Sequence, residues 1–276
     1  MRYSVIILTF GDRLPALQRC IEKVRAGART LRNDYEIIVV NNGSEAAGLW
    51  LLQAEGIRSV ARETNEGVCA RNYGIDVARG DYIIQVDDDV LVSPGFDEIL
   101  LKPYENPEIG ATGPHGFYQD STWGLLIDDR RRPQPGQFCD LVMGYCWSWR
   151  NQRVRCSLCK GTLFRNAMPC EACGGEGADR TRFRYDWAFS PFWHEESDLQ
   201  CQIRAAGYRI MCTAPVATHQ TLHDWTETKA DGPITGESIA RRNFFKLVDK
   251  WQEKGIRFEG PAVGLRGAAP GRRATR

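Results

Sequence analysis

Tyr82-Ile83-Ile84-Gln85-Val86-Asp87-Asp88-Asp89 is the stretch that decides the fold. An apolar run of strand length stops on three consecutive carboxylates. Charges packed this closely repel one another, so a fold keeps them where a cation or a polyol offsets the repulsion. In an extended chain, residues two apart point to the same side, so Asp87 and Asp89 can share a ligand while Asp88 faces away. At the end of a buried strand, that arrangement suits a divalent metal on a diphosphate. The plain alternative is a solvated acidic turn.

Three similar strands precede this one. Val5-Ile6-Ile7-Leu8 runs into Thr9-Phe10-Gly11-Asp12, and Leu14, Leu17, Ile21 and Val24 then recur at helical period. Ile37-Ile38-Val39-Val40 runs into Asn41-Asn42-Gly43-Ser44, where Ser44 is placed to cap a helix through Leu52. A weaker strand, Ile57 to Ala61, leads to Asn65, a second candidate cap, and to a helix from Glu66 to about Val77. Near-continuous apolar strands alternating with helices predict an α/β fold with a Rossmann-like, mostly parallel sheet covered by helices on both faces. In such sheets ligands bind beyond the carboxyl ends of the strands, where the four polar clusters would meet. Neither G-x-G-x-x-G after the first strand nor G-x-x-x-x-G-K-[ST] is present, so a nucleotide here would be held by other means.

The chain has 276 residues, 42% hydrophobic and 26% charged, which suits one large domain or a domain carrying an insertion. A net charge of +1 argues neither for nor against nucleic acid, although basic residues cluster in Arg130-Arg131-Arg132 and from Arg266 to Arg276. With the first strand expected to open at residue 3, no signal peptide is expected, and no apolar run approaches the roughly 20 residues that span a bilayer. Ten cysteines without a secretory signal point to reduced thiols or metal. The expectation is a soluble, cytoplasmic protein.

The second half is less regular. Residues 116 to 136 read as a loop. A helix is expected from near Glu195 to Ala206, ending at Gly207, then a strand from Tyr208 to Cys212 and a helix from Glu237 to Glu253. Residues 264 to 276 have the composition of a disordered tail. Cys156-x-x-Cys159 and Cys170-x-x-Cys173 form C-x2-C-x10-C-x2-C, the spacing of a closed tetrahedral structural Zn²⁺ site. Cys20, Cys69, Cys139, Cys146, Cys201 and Cys212 read as buried, small apolar residues.

Together these stretches resemble the family 2 glycosyltransferases of the GT-A fold. Val5 to Phe10 is similar to the family's first strand and nucleotide-contacting turn. Asn41-Asn42-Gly43-Ser44 is similar to its D-[DN]-G-S turn, and Asn65-x-Gly67-x-x-x-Arg71-Asn72-x-Gly74 to its N-x-G-x-x-x-A/R-N-x-G helix start. Asp87 to Asp89 matches D-x-D, and Glu195-Glu196-Ser197-Asp198-Leu199 with Ala206 to Ile210 looks like E-D-x-D-L…A-G-Y-R-I. The resemblance covers roughly residues 3 to 115 and 188 to 252. This chain departs from the pattern in placing Asn41 and Asn42 where the family has a base-contacting acid, and in the cysteine insertion. It also lacks the Q-x-x-R-W motif and membrane helices of processive synthases, which favours single transfers.

The resemblance implies an inverting, metal-dependent transferase that moves a sugar from a nucleoside diphosphate sugar to an acceptor hydroxyl. Thr9, Phe10, Asn41, Asn42, Asn65, Arg71 and Asp87 would contact the donor nucleotide, with Asp88 on the ribose. Asp89, joined by Asp87 and His219, would hold Mn²⁺ or Mg²⁺, with His223 the second histidine candidate. Glu196 would be the base, with Glu195 the alternative. The acceptor classes left open are a glycan, a lipid-linked sugar, a protein or a modified nucleic acid. Residues 1–115 then form the donor half, 116–187 the loop and zinc knuckle, 188–255 the acceptor half and 256–276 a basic tail. The knuckle, with Trp147, Trp149, Arg150, Arg153 and Arg155, reads as an acceptor-recognition surface or as the staple of a long loop. Two other functions fit the residues: a GT-A-like nucleotidyltransferase, and a catalytically silent scaffold binding nucleic acid or protein through the knuckle.

Overall fold

The structure, a computed structural model, describes residues 1–29, 35–119, 123, 125–126, 132–156 without the last, and 164–165, 168–169, 178–181, 183–220, 236–256 and 259. In chain order, β1 (Tyr3–Thr9), α1 (Leu14–Gly27), β2 (Tyr35–Asn42), α2 (Glu45–Leu51), β3 (Ile57–Arg62), α3 (Arg71–Val77) and β4 (Tyr82–Asp87) come first. They are followed by β5 (Val90–Val92), α4 (Phe96–Leu101) and β6 (Ile109–Pro114). The short strands β7 (Tyr118–Gln119) and β8 (Leu125–Leu126) pair with each other, before β9 (Phe138–Cys139) and β10 (Cys146–Arg150). Two further strand pairs, β11 (Arg153–Arg155) with β14 (Ala178–Thr181) and β12 (Phe164–Arg165) with β13 (Met168–Pro169), lead to α5 (Glu195–Ala205). β15 (Arg209–Thr213), β16 (Ala217–His219) and α6 (Gly236–Trp251) complete the order.

One eight-stranded sheet in the order β3-β2-β1-β4-β10-β6-β15-β9 organises the chain. β1, β2, β3 and β4 are mutually parallel, as their unbroken apolar runs require, because both faces are covered. Alternate residues of β1 divide the core. Val5 and Ile7 pack with Leu17, Ile21 and Val24 of α1 and Phe96 and Leu100 of α4, whereas Ile6 and Leu8 pack with Ile75 of α3 and Leu199 and Ile203 of α5. A third cluster joins Phe189 and Cys201 to Leu247 and Trp251 of α6. Cys20, Cys69, Cys139, Cys146, Cys201 and Cys212 are all buried free thiols.

The sheet is mostly parallel, as the sequence predicts, with β9 and β10 as its antiparallel strands. β10 runs antiparallel between β4 and β6. Its run Cys146-Trp147-Ser148-Trp149 lacks β-branched residues and lies in the stretch read as cysteine-rich insertion, which hid it. Trp147 and Trp149 are 0% and 1% exposed, with ring centroids 4.4 Å apart, so they are core residues and cannot meet an acceptor. Arg150 is likewise structural, donating to the carbonyls of Ile109, Tyr104 and Asn106. Within the span 116–187, β9 and β10 therefore belong to the main sheet.

The helix expected from Glu66 starts five residues later, at Arg71, behind a single 3₁₀ turn, Val68–Ala70. Asn65 does not cap it; its Oδ1 accepts the Gly67 amide and the Asn42 side chain. Gly67 has φ +80°, and a Cβ there would lie 2.8 Å from the Pro191 carbonyl, so the chain must turn before the helix can form. Ser44 does cap α2, accepting from the Ala47 amide. Cys156, Cys159, Cys170, Cys173 and His223 lie outside the described residues, as does the tail from residue 260. The pairing of Arg155 with Ala178 does bring the two ends of the cysteine-bearing segment together.

Candidate functional site

The register of β1 against its neighbours, Thr9 with Asn41 and Leu8 with Asp87, brings the polar strand ends to one edge of the sheet. Asp87, Asp88 and Asp89 meet two arginines there. Arg71 of α3 donates to Asp87 at 2.6 Å, while Arg13, just ahead of α1, lies 2.6 Å from Asp89 and 3.4 Å from Asp88. Thr9 Oγ1 donates to Asp88 at 2.8 Å and fixes that carboxylate. Burial pushes Asp87 up to about 7 despite Arg71, and Asp88 up to about 6 despite Arg13 and Thr9. Two guanidiniums thus leave the edge short of positive charge.

His219 is aligned with this edge by the pairing of β16 with β5, which sets it opposite Val90. Its Nδ1 lies 3.8 Å from Asp89 Oδ1, and its ring packs 4.8 Å from Tyr145. Two donors at about 2.1 Å from one ion lie about 3 to 4 Å apart, so Asp89 and His219 fit a shared divalent cation. Among the described residues no three His, Cys, Asp or Glu side chains form a ready metal cage. An ion that takes one or two protein ligands and completes its shell with water and substrate phosphate, as Mg²⁺ does, matches that donor set.

Glu195 and Glu196 open α5 at the same edge. Glu196 Oε1 stands 4.0 Å from Arg71 Nη1, so one guanidinium spans Asp87 and Glu196. Glu195 is 3% exposed; burial first, and then Glu196 beside it, push its carboxyl well above the usual range. Glu196 is the partly exposed member of the pair. A Cβ at Gly144 would fall 2.5 Å from the Glu196 carboxyl carbon, so only glycine leaves room for this carboxylate. Gln85 of β4 holds Gly144 in place, donating to its carbonyl at 2.6 Å and accepting from Tyr185. Ahead of α5, Trp193 and His194 both adopt positive φ, a strained turn for bulky residues.

A profile of the family described as glycosyl transferase family 2 matches residues 4–168. The chain belongs to glycosyl transferase family 2. Its sequence relatives include the uncharacterized glycosyltransferase YwdF of Bacillus subtilis, 36% identical over 111 residues, which are 39% of this chain and 40% of that protein. The chain thus aligns with well under two thirds of that relative's length. Similar solved structures include GalNAc-T7 with UDP, GalNAc and Mn²⁺ (TM-score 0.61, 16% identity, 91% of this chain and 48% of that one). Another is the mannosyltransferase PcManGT from Pyrobaculum calidifontis with GDP-Man and Mn²⁺ (TM-score 0.54, 13% identity, 91% of this chain and 71% of that one). At these identities the likeness is one of fold, and it is the GT-A architecture.

In this family 2 chain both asparagines of the turn bond to the protein itself. Asn41 exchanges two hydrogen bonds with the Ser44 backbone, and Asn42 binds Asn65, the Gly67 carbonyl and the Glu66 amide. Their amides shape the loop in this structure, and the open cleft of ≈ 390 Å³ beside it is lined by Gly11, Asp12, Gly43, Ser44, Glu45, Ala46 and Leu49. Phe10 lies under Arg13, whose guanidinium carbon is 5.1 Å from the ring centroid. Sequence reasoning named Arg71, Glu196 and the acid triplet but missed Arg13, Gln85 and Tyr185. Arg13 directly follows the Thr9–Asp12 cluster, and Gln85 is a polar break in an otherwise apolar strand. No such signal marked Tyr185.

Proposed function

We propose that the chain is an inverting, metal-dependent glycosyltransferase that moves a sugar from a nucleoside diphosphate sugar to an acceptor hydroxyl. One observation carries the reading: Asp89 faces His219 on one side of the β4 terminus, and on the other Arg71 spans Asp87 and Glu196. The cation and the base that such a transfer needs are thereby candidates on a single edge. The UDP and GDP-Man complexes of GalNAc-T7 and PcManGT support a nucleoside diphosphate donor.

Bound at Asp89 and His219, Mn²⁺ or Mg²⁺ would act as a Lewis acid that steadies charge on the departing diphosphate. The protein's own groups divide the remaining work. The cleft between Gly11 and Leu49 takes the base, and Asp88, held by Thr9, is available to the ribose. Arg71 has Nε and Nη1 buried without a hydrogen-bond partner among the described residues, donors that an anionic donor oxygen would satisfy. Glu196 takes the acceptor proton as the acceptor oxygen bonds to the anomeric carbon and the bond to the diphosphate breaks. Attack from the face opposite the leaving group inverts that carbon. Glu195, buried beside Glu196 at the start of α5, positions the base.

Nucleotide release from a panel of UDP-, GDP- and dTDP-sugars should require Mn²⁺ or Mg²⁺ and stop on chelation. A release rate indifferent to chelator would remove the metal from the reading. The four cysteines outside the described residues are proposed to hold one structural Zn²⁺, on their spacing and the paired ends of their segment. Elemental analysis should find about one zinc per chain, lost in Cys170→Ser/Cys173→Ser; zinc-free protein with a normal melting curve would refute the knuckle.

No helix among the described residues is long and apolar enough to cross a membrane.

A further inference from the structure

The acid triplet is paired with two arginines of different kind. Arg71 is 7% exposed, is bonded to Asp87 and has Tyr185 at 6.0 Å, so it is a fixed part of the core. Arg13 is 21% exposed and sits on the short loop between β1 and α1, with the Phe10 ring beside it. It bonds Asp89 Oδ2, while His219 approaches Oδ1 of the same carboxylate. A divalent ion shared by Asp89 and His219 would therefore stand against the Arg13 guanidinium. Like charges at such a separation, partly shielded from water, repel strongly.

From this conflict we infer that Arg13 is an exchangeable counter-ion: it occupies Asp88 and Asp89 when the site is empty and transfers to the donor's diphosphate when cation and donor enter together. The inference rests on the transferase reading and deepens it. The diphosphate supplies the negative charge that Arg13 gives up on leaving the aspartates, so total charge at the edge stays balanced. A cation arriving alone has no such compensation and must displace an ion pair. Arg13 thereby makes cation and nucleotide bind as a unit and disfavours a metal-loaded, donor-free site. By linkage, the same residue strengthens each ligand's binding in the presence of the other.

Binding measurements separate this from the transferase reading itself. Mn²⁺ binding is read by electron paramagnetic resonance without nucleotide, and UDP and GDP binding by calorimetry with saturating Mn²⁺. In Arg13→Ala, donor-free Mn²⁺ should bind about tenfold tighter, while the nucleoside diphosphate binds tenfold or more weaker. Arg19→Ala removes the same charge from α1, where Arg19 bonds Gln220 and not the triplet, and should change neither value. Arg13→Gln, which keeps a hydrogen-bond donor near Asp89, serves where the alanine variant melts early and should shift both constants in the same directions. Unchanged Mn²⁺ affinity in a folded Arg13 variant, or equal tightening in Arg19→Ala, would overturn the inference while leaving the transferase intact. Wild-type protein that binds neither Mn²⁺ nor nucleotide would overturn both.

Discussion

Glu196→Gln should slow sugar transfer by about 10²- to 10⁴-fold, the usual worth of a positioned general base. Donor binding should change by less than about threefold, because the substitution keeps shape and removes only the ability to take a proton. Glu195→Gln is the contrasting variant. Glu195 is buried, and burial with Glu196 beside it favours its neutral form, so a neutral amide of the same shape is expected to be tolerated and the rate should stay within about threefold. Single-turnover rates with saturating donor and Mn²⁺ measure both. If Glu195→Gln were the dead enzyme and Glu196→Gln the active one, the roles assigned here would be reversed. Proton NMR of the first-formed product reports whether the anomeric carbon inverts.

What could be read in the sequence was whatever depended on local pattern. β1, β2 and β4 declared themselves by apolar runs, and the polar residues behind them had to meet because parallel strands share a carboxyl edge. Asp87 to Asp89, Arg71 and Glu196 were found that way or by motif order, and the structure draws them together through Arg71. The failures came from long-range partners. Nothing local distinguishes Trp147 and Trp149 on an exposed binding surface from the same residues in a central strand; burial between β4 and β6 decided it. Asn41 and Asn42, proposed to contact the donor, also bond the Ser44 backbone and residues 65–67 of the next loop, partners that local pattern does not reveal. Asp198 looked like an ordinary acid in a helix's first turn, favoured by the positive end of the dipole. Two of its partners, Lys250 and Trp251, lie more than fifty residues away on α6.

Those partners make Asp198→Ala the most destabilising substitution expected at this edge. Asp198 is fully buried and accepts from Trp251 Nε1 at 2.7 Å, Lys250 Nζ at 2.8 Å and Gln202 Nε2 at 2.9 Å. Alanine would leave an indole N–H and an ammonium facing a buried void, and breaking such a pair costs about 3 to 5 kcal/mol. Lys250 retains Asp186 at 2.7 Å, which places the cost toward the lower figure. The unfolding midpoint should fall by roughly 10 °C. Activity should fall as well, and for a separate reason. α6 carries Asn243, whose buried amide donates to the carbonyls of Phe189, Phe192 and Trp193. Those contacts hold the positive-φ turn at Trp193 and His194 that delivers Glu195 and Glu196 to the edge. Loosening α6 relaxes that turn, so kcat should drop at temperatures where the variant is still folded, with donor affinity retained because the nucleotide cleft belongs to β1 and β2. Asp198→Asn, which keeps an acceptor for Trp251, should recover most of the stability and the rate. A variant that melts early yet turns over normally at low temperature would show that α6 supports the fold without positioning the base.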